Sequence, residues 1–334
     1  MVHVTVFIAS GIIVVLAGTA LARYADAIAE ATKLGRLWIG SILLAGATSL
    51  PELVTDVTAV RLGAVDLAVG DLFGSSMANM LILSVIDLVP PRGRVLQKAA
   101  FDHALAATLA IMLNALAAVF ILMRPEFTIL SVGPASILLC LVYVFGTRVV
   151  FRHVTRAELI VPDAVVPSVE TKETPPSLRH AVSGFAIASI VVLGSAPAFA
   201  WSAKGIAEMT GLGDTFVGTW LVGLTTSMPE LVASYAAVRI GAFDMAVGNL
   251  FGSNALNMAV FLPLDIAHPG SVFAAADPNH AISALFAVVL MSLGLAAIVY
   301  RAKRRIAVVE PDSVLMLIVY AFALWLLYRH TAGA

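Results

Sequence analysis

The chain has 334 residues, 60% of them hydrophobic and only 12% charged, with a net charge of −1 and a mean hydropathy of +0.97. A water-soluble domain carries about 25% charged residues, so this composition excludes a soluble globular protein and places the chain in a bilayer. The single cysteine, Cys140, excludes an internal disulfide or a cysteine-based metal site, and the balanced charge gives no reason to expect a nucleic-acid partner.

In chain order, apolar windows of about 20 residues predict ten membrane helices: 2–22, 37–62, 66–89, 101–123, 128–151, 181–202, 215–240, 244–267, 279–300 and 311–329. The first has neither a basic leader nor a convincing cleavage site before it and reads as a retained span. Basic residues test the count. With the N-terminus outside, inner connections hold 16 of the 20 Lys and Arg residues, and only Arg61, Arg124, Lys204 and Arg329 lie outside. That is the bias expected of cytoplasmic loops. The prediction is an all-α integral membrane protein with ten transmembrane helices and both termini outside. Segment 152–180, rich in prolines and mixed charges, is expected to be a solvated cytoplasmic linker. The compact size points to a prokaryotic inner (plasma) membrane.

The chain says the same thing twice. TSLPELV (48–54) returns as TSMPELV (226–232), and AVGDLFGSSMANM (68–80) as AVGNLFGSNALNM (246–258), at a constant offset of 178 that carries Glu52 onto Glu230. Such an ungapped repeat is a duplication. Equivalent helices lie five spans apart, an odd number, so they cross in opposite directions. Residues 1–151 and 181–334 are therefore predicted to be two inverted five-helix repeats, the design that places a transporter's site between them near the midplane.

The repeated segments have the chemistry of a cation site. Pro51 and Pro229 lack an N–H and crowd the carbonyls four residues back, those of Ala47 and Thr225. Beside them stand Thr48, Ser49 and Glu52 in one copy, and Thr226, Ser227 and Glu230 in the other. Hydroxyl, carbonyl and carboxylate oxygens are hard ligands suited to Ca2+, and the two glutamates carry enough charge to neutralise one divalent ion. Ser75 and Asn79, like Ser253 and Asn257, are four apart and share a helix face. Gly70, Gly74, Gly248 and Gly252 permit close helix approach. An isolated membrane Ser or Thr usually bonds its own backbone, but two symmetric copies of Thr-Ser-x-Pro-Glu with Gly-Ser-x-x-x-Asn point to an ion site.

This pair of motifs resembles the α-repeats of the sodium/calcium exchanger family, among the Ca2+:cation antiporters, over roughly residues 45–80 and 223–258. The resemblance implies alternating-access exchange of Ca2+ for Na+, with Glu52 and Glu230 as central carboxylates. Thr48, Ser49, Ser75, Thr226, Ser227 and Ser253 would add oxygens, together with the backbone carbonyls of Ala45 and Gly223, and Asn79 and Asn257 would complete the centre. Proton/calcium exchangers of this architecture typically carry GNxxE where this chain has TSxPE, which favours sodium over protons.

The chain also departs from the family. Asn257 stands where many prokaryotic relatives have an aspartate. Asp56 follows Glu52 by one turn where the second copy has Ser234, and Asp71 stands opposite Asn249. Both extra acids are expected on the outer side of the centre, as an acidic vestibule. Asp66 and Asp244 are expected to cap the helices they precede, and Asp87 and Asp265 to lie at the membrane interface. No histidine pair has transition-metal spacing. GLGD (211–214) superficially matches an intramembrane-protease signature whose other motifs are missing, so no enzyme activity is expected. No cofactor is expected either: the ligands are transported Ca2+ and Na+ (or H+), and the partner is membrane lipid. A proton-coupled antiporter, an antiporter of another divalent cation, and a passive cation channel remain the alternatives. The sequence leaves the oligomeric state open.

Overall fold

The computed structural model describes residues 2–32, 34–88, 95–98, 103–129, 132–160, 177–208, 223–300 and 311–332. The GLGD segment, most of the 152–180 linker and residues 215–222 of the seventh predicted span lie outside them. The described residues are helical apart from short connections and one isolated bridge, Ile129–Val132.

Helix α1 (Val2–Thr32) is followed by a composite rod: α2 (Arg36–Trp38), a π-helical turn (Ile39–Leu44), α3 (Ala45–Thr48) and, after a break at Ser49, α4 (Leu50–Arg61). A tight connection leads into α5 (Val65–Leu88), the short α6 (Val95–Lys98), α7 (His103–Met123) and α8 (Pro134–Ile160). The second half repeats the order with α9 (Leu178–Glu208), α10 (Gly223–Thr226), a break at Ser227, α11 (Met228–Ile240), α12 (Phe243–Ala259), α13 (Phe261–Ala267), the short α14 (Val272–Ala275), α15 (His280–Tyr300) and α16 (Pro311–Ala332). The two breaks are 178 residues apart and fall two residues before Pro51 and Pro229. A proline contributes no amide hydrogen and clashes with the preceding turn, so the interruptions are written into both copies.

Eight helical stretches among the described residues are long and apolar enough to cross a membrane, where the sequence predicts ten. The two differences have local causes. In α8 the apolar part is Pro134–Val150, too short for the length criterion. The seventh predicted span is described only from Gly223, and the break at Ser227 leaves two pieces.

The helices sort by polarity. In the apolar stretch of α5, 89% of residues are buried, against 28% in those of α1 and α16. Ile8, Ile12 and Leu16, four residues apart on α1, are all exposed. Apolar side chains therefore cover the outer surface as well as filling the core, and the Ser, Thr, Asn, Asp and Glu side chains of the repeated motifs are collected inside, as hydrocarbon requires.

Equivalent helices pair across the halves: α1 packs on α9, α5 on α12, and α7 on α15. The pairing of α1 with α9 is antiparallel. His3, near the start of α1, stacks on Trp201 late in α9 with ring centroids 4.5 Å apart, whereas Tyr24 meets His180 at the other end. Remaining contacts exchange in kind, since α4 lies on α9 as α11 lies on α1, and α16 on α5 as α8 on α12.

Two close crossings bring the halves together. A Cβ on Gly223 would meet the backbone of Gly74 at 2.6 Å, and one on Gly252 would strike the backbone of Ser41. Neither position can carry a side chain without moving a helix, which is how small residues set membrane packing.

Candidate functional site

The helix breaks deliver the Thr-Ser-x-Pro-Glu segments to one buried centre between the halves. Thr48, Ser49, Glu52, Ser75, Asn79, Thr226, Ser227, Glu230, Ser253 and Asn257 are all 0–1% exposed, as are Ala45 and the outlying acids Asp56 and Asp71. Gly223, Ala47 and Thr225 are buried too.

The hydrogen bonds that organise this centre cross from one copy to the other. Ser49 Oγ donates to Glu230 Oε1 at 3.1 Å, and Thr48 Oγ1 donates to Asn249 Oδ1 at 3.3 Å. Ser75 Oγ donates to the Gly223 carbonyl at 3.3 Å and lies 3.2 Å from Thr226 Oγ1. Thr226 Oγ1 donates to Asp71 Oδ1 at 2.8 Å, and Asn79 Nδ2 to Asn254 Oδ1 at 2.8 Å. Within the second copy Ser253 Oγ reaches Glu230 Oε1 at 3.5 Å. The ordinary use of a membrane threonine is also present: Thr48 bonds back to the Leu44 and Ala45 carbonyls at 3.0 and 3.3 Å.

Several oxygens are then left over. Both carboxylate oxygens of Glu52, Glu230 Oε2, Asn79 Oδ1, both amide atoms of Asn257 and Ser227 Oγ are buried with no hydrogen-bond partner. Glu52 and Glu230 lie within electrostatic reach of each other, as do Glu52 and Asp71. Among the described ion pairs, none involves these acids. Buried polar groups are normally satisfied, and an unpaired buried carboxylate is expensive. A cluster of oxygen acceptors with surplus negative charge is chemically a seat for a hard cation. Among the described residues no three Asp, Glu, His or Cys side chains are grouped to hold a metal ion, so the acids alone do not form a cage. A cation here would complete its shell from hydroxyl, amide and backbone oxygens.

One polar residue was not read from the sequence, and the four paired acids have partners it did not show. Asn254 stands where the first copy has Ser76, so the duplication did not mark it, yet it receives Asn79, donates to the Ser76 carbonyl at 3.2 Å and accepts on its backbone from Asn114. Asp66 and Asp244 do not serve as simple helix caps. Asp244 lies 3.0 Å from His103 Nε2, and Asp66 accepts from the Asp277 amide and lies 3.2 Å from His280 Nε2; each acid meets a histidine of the opposite half. Asp87 and Asp265, both near helix ends, are buried. Asp265 accepts from Gly133 N, Ser136 Oγ and Val272 N at 2.6–2.7 Å, and Asp87 accepts from Leu96 N at 3.0 Å and Ser313 Oγ at 2.7 Å.

Known proteins are similar to this chain. The CaxA protein of Alkalimonas amylolytica, whose name calls it an antiporter, is 28% identical over 324 residues, covering 93% of this chain and 95% of that protein. The sodium/calcium exchanger MaX1 of Methanosarcina acetivorans is 40% identical over 74 residues, 20% of this chain and 21% of that one. A solved structure of the sodium-calcium exchanger NCX_Mj matches with a TM-score of 0.68 at 23% identity over 97% of both chains, which establishes the shared fold. The family described as sodium/calcium exchanger protein matches residues 2–152 and 180–329, nearly the whole chain including both Thr-Ser-x-Pro-Glu segments, and the protein is accordingly a multi-pass membrane member of the sodium/calcium exchanger family.

Proposed function

We propose that this cation antiporter exchanges Ca2+ for Na+ across a prokaryotic plasma membrane by alternating access. The reading takes residues 1–151 and 181–334 as inverted five-helix repeats, ten spans in all, joined by a cytoplasmic linker at 152–180, with both termini outside. The observation that carries it is the centre itself. Glu52 and Glu230, one from each copy, are buried together with surplus acceptor oxygens, and the bonds organising them run between the copies. The family membership and the relatives named as sodium/calcium exchangers support the choice of ions.

The physical reason for coupling follows from burial. Two ionised glutamates in a low-dielectric centre are costly unless neutralised. Ca2+ bound with Glu52, Glu230, the paired hydroxyls, Asn79, Asn257 and the Ala45 and Gly223 carbonyls cancels that charge. Once Ca2+ leaves, the centre is costly to carry across empty, and Na+ refills it. Because each half supplies part of the shell, rocking of one half against the other would change which face the ion sees without taking the site apart.

The test is calcium uptake into vesicles reconstituted with the purified protein, under sodium, potassium or proton gradients imposed separately. Uptake against a calcium gradient is expected with an opposing sodium gradient. Accumulation driven by protons alone would transfer the coupling to H+, and purely dissipative flux would make the protein a channel. Glu52→Gln and Glu230→Gln are each expected to reduce uptake to background in protein that still extracts and elutes as a single species. Retained uptake in either would remove that glutamate from the site.

A further inference from the structure

We propose that Asp56 and Asp71 hold a second divalent cation, separate from the one between Glu52 and Glu230. The argument comes from comparing the two copies where their chemistry differs. In the second copy, Asn249 accepts from Thr48 at 3.3 Å and passes its own Nδ2 hydrogen to Ser234 Oγ at 3.0 Å. Every step has a donor and an acceptor, so that side of the centre is neutral and closed. In the first copy Asp71 occupies the equivalent place, accepting from Thr226 at 2.8 Å and Ser75 at 3.4 Å. Its neighbour, at the position equivalent to Ser234, is Asp56, on helix α4, which packs against α5. Where the second copy has an amide and a hydroxyl, the first has two carboxyl groups.

Beyond the two hydroxyls on Asp71 Oδ1, the structure gives these acids no hydrogen-bond donor. They are 1% and 0% exposed, and both oxygens of Asp56 and Oδ2 of Asp71 have no hydrogen-bond partner. Glu52, also within electrostatic reach of both, adds negative charge. Two carboxylates carry −2. One alkali ion would leave a buried negative charge, whereas one divalent ion cancels it, and burial makes that difference decisive. The unpartnered atoms, three carboxylate oxygens, are hard ligands of the kind a Ca2+-class ion selects. Asp56 is one turn beyond Glu52 and Asp71 one turn before Ser75, so the seat lies between the centre and the connection at residues 62–64 that joins α4 to α5.

The inference rests on the reading of the chain as a calcium carrier, and its test is a count. Equilibrium dialysis of the purified full-length protein against radiolabelled Ca2+ alone is expected to give two ions per chain. The double variant Asp56→Ser with Asp71→Asn copies the pair already accommodated in the second half, and is expected to bind one. Glu230→Gln should also retain one, now at the aspartate pair. If the double variant does not fold, Asp71→Asn alone serves, because its amide can donate to Asp56 as Asn249 donates to Ser234; it too should lose one ion. One Ca2+ per wild-type chain, or equal counts in the wild type and a folded aspartate variant, overturns the proposal. Loss of the Glu230 requirement for transport would overturn the exchange reading instead, and leaves the count at the aspartates readable.

Discussion

Thr226 shows how much one hydroxyl can do in hydrocarbon. It donates to Asp71 at 2.8 Å and lies against Ser75 and the Gly223 carbonyl. A hydrogen bond to a charged group contributes about 1.5–3 kcal/mol to stability, so Thr226→Val, nearly isosteric, is expected to lower the melting temperature of the detergent-purified protein. Its counterpart Thr48 donates to the neutral Asn249, and Thr48→Val should cost less. At this scale the sequence was informative wherever the duplication spoke. Glu52, Glu230 and their Thr-Ser neighbours occur twice in register, and a carboxylate kept twice beside a helix-breaking proline has few bland explanations. Asn254 and Asn114 were invisible for the opposite reason: Asn254 is matched by Ser76, and Asn114 lies outside the repeated motifs. The histidine partners of Asp66 and Asp244 were missed because His103 and His280 are 177 apart, one short of the offset, and sit in helices whose sequences otherwise diverge.

At the scale of the helix, the packing is decided where backbones touch. Gly223→Ala and Gly252→Ala would each press a methyl group into the backbone of the facing segment. Overpacking of this kind costs about 1–3 kcal/mol, so both variants should melt at lower temperature in detergent. Gly46→Ala is the control, because nothing lies within 4 Å of its added Cβ, and helix propensity there favours alanine by about 1 kcal/mol; its melting temperature should hold or rise. Buried acids can also fasten elements. Asp265 receives two backbone amides and Ser136 Oγ, tying the start of α8 and the residues before α14 to α13. Asp265→Ala would orphan three donors at about 1–3 kcal/mol each, and is expected to lower the melting temperature more than either glycine variant. The sequence placed most helix ends within a few residues and marked the two prolines beside which the helices break. It could not place the π-helical turn at Ile39–Leu44, since nothing in IGSILL distinguishes a π-turn from an α-turn; α12 packs against that turn.

For the whole molecule, composition and charge gave a membrane bundle, and the offset of 178 gave its two halves. What they could not give is how the halves share labour. Equivalent helices lie side by side, α1 running against α9, and the partners around the centre are drawn from both. The central hydrogen bonds named above join residues numbered below 80 to residues numbered above 220. A fragment ending at residue 160 therefore contains one side of these hydrogen bonds, and one beginning at residue 177 contains the other. Expressed as separate polypeptides, neither should support calcium uptake, whereas co-expression should restore it, because docking of the fragments rebuilds the same contacts. The same geometry constrains how such a protein could have arisen. A half-length chain carrying one motif would hold only one side of these hydrogen bonds, so it would need a second copy of itself to close the centre.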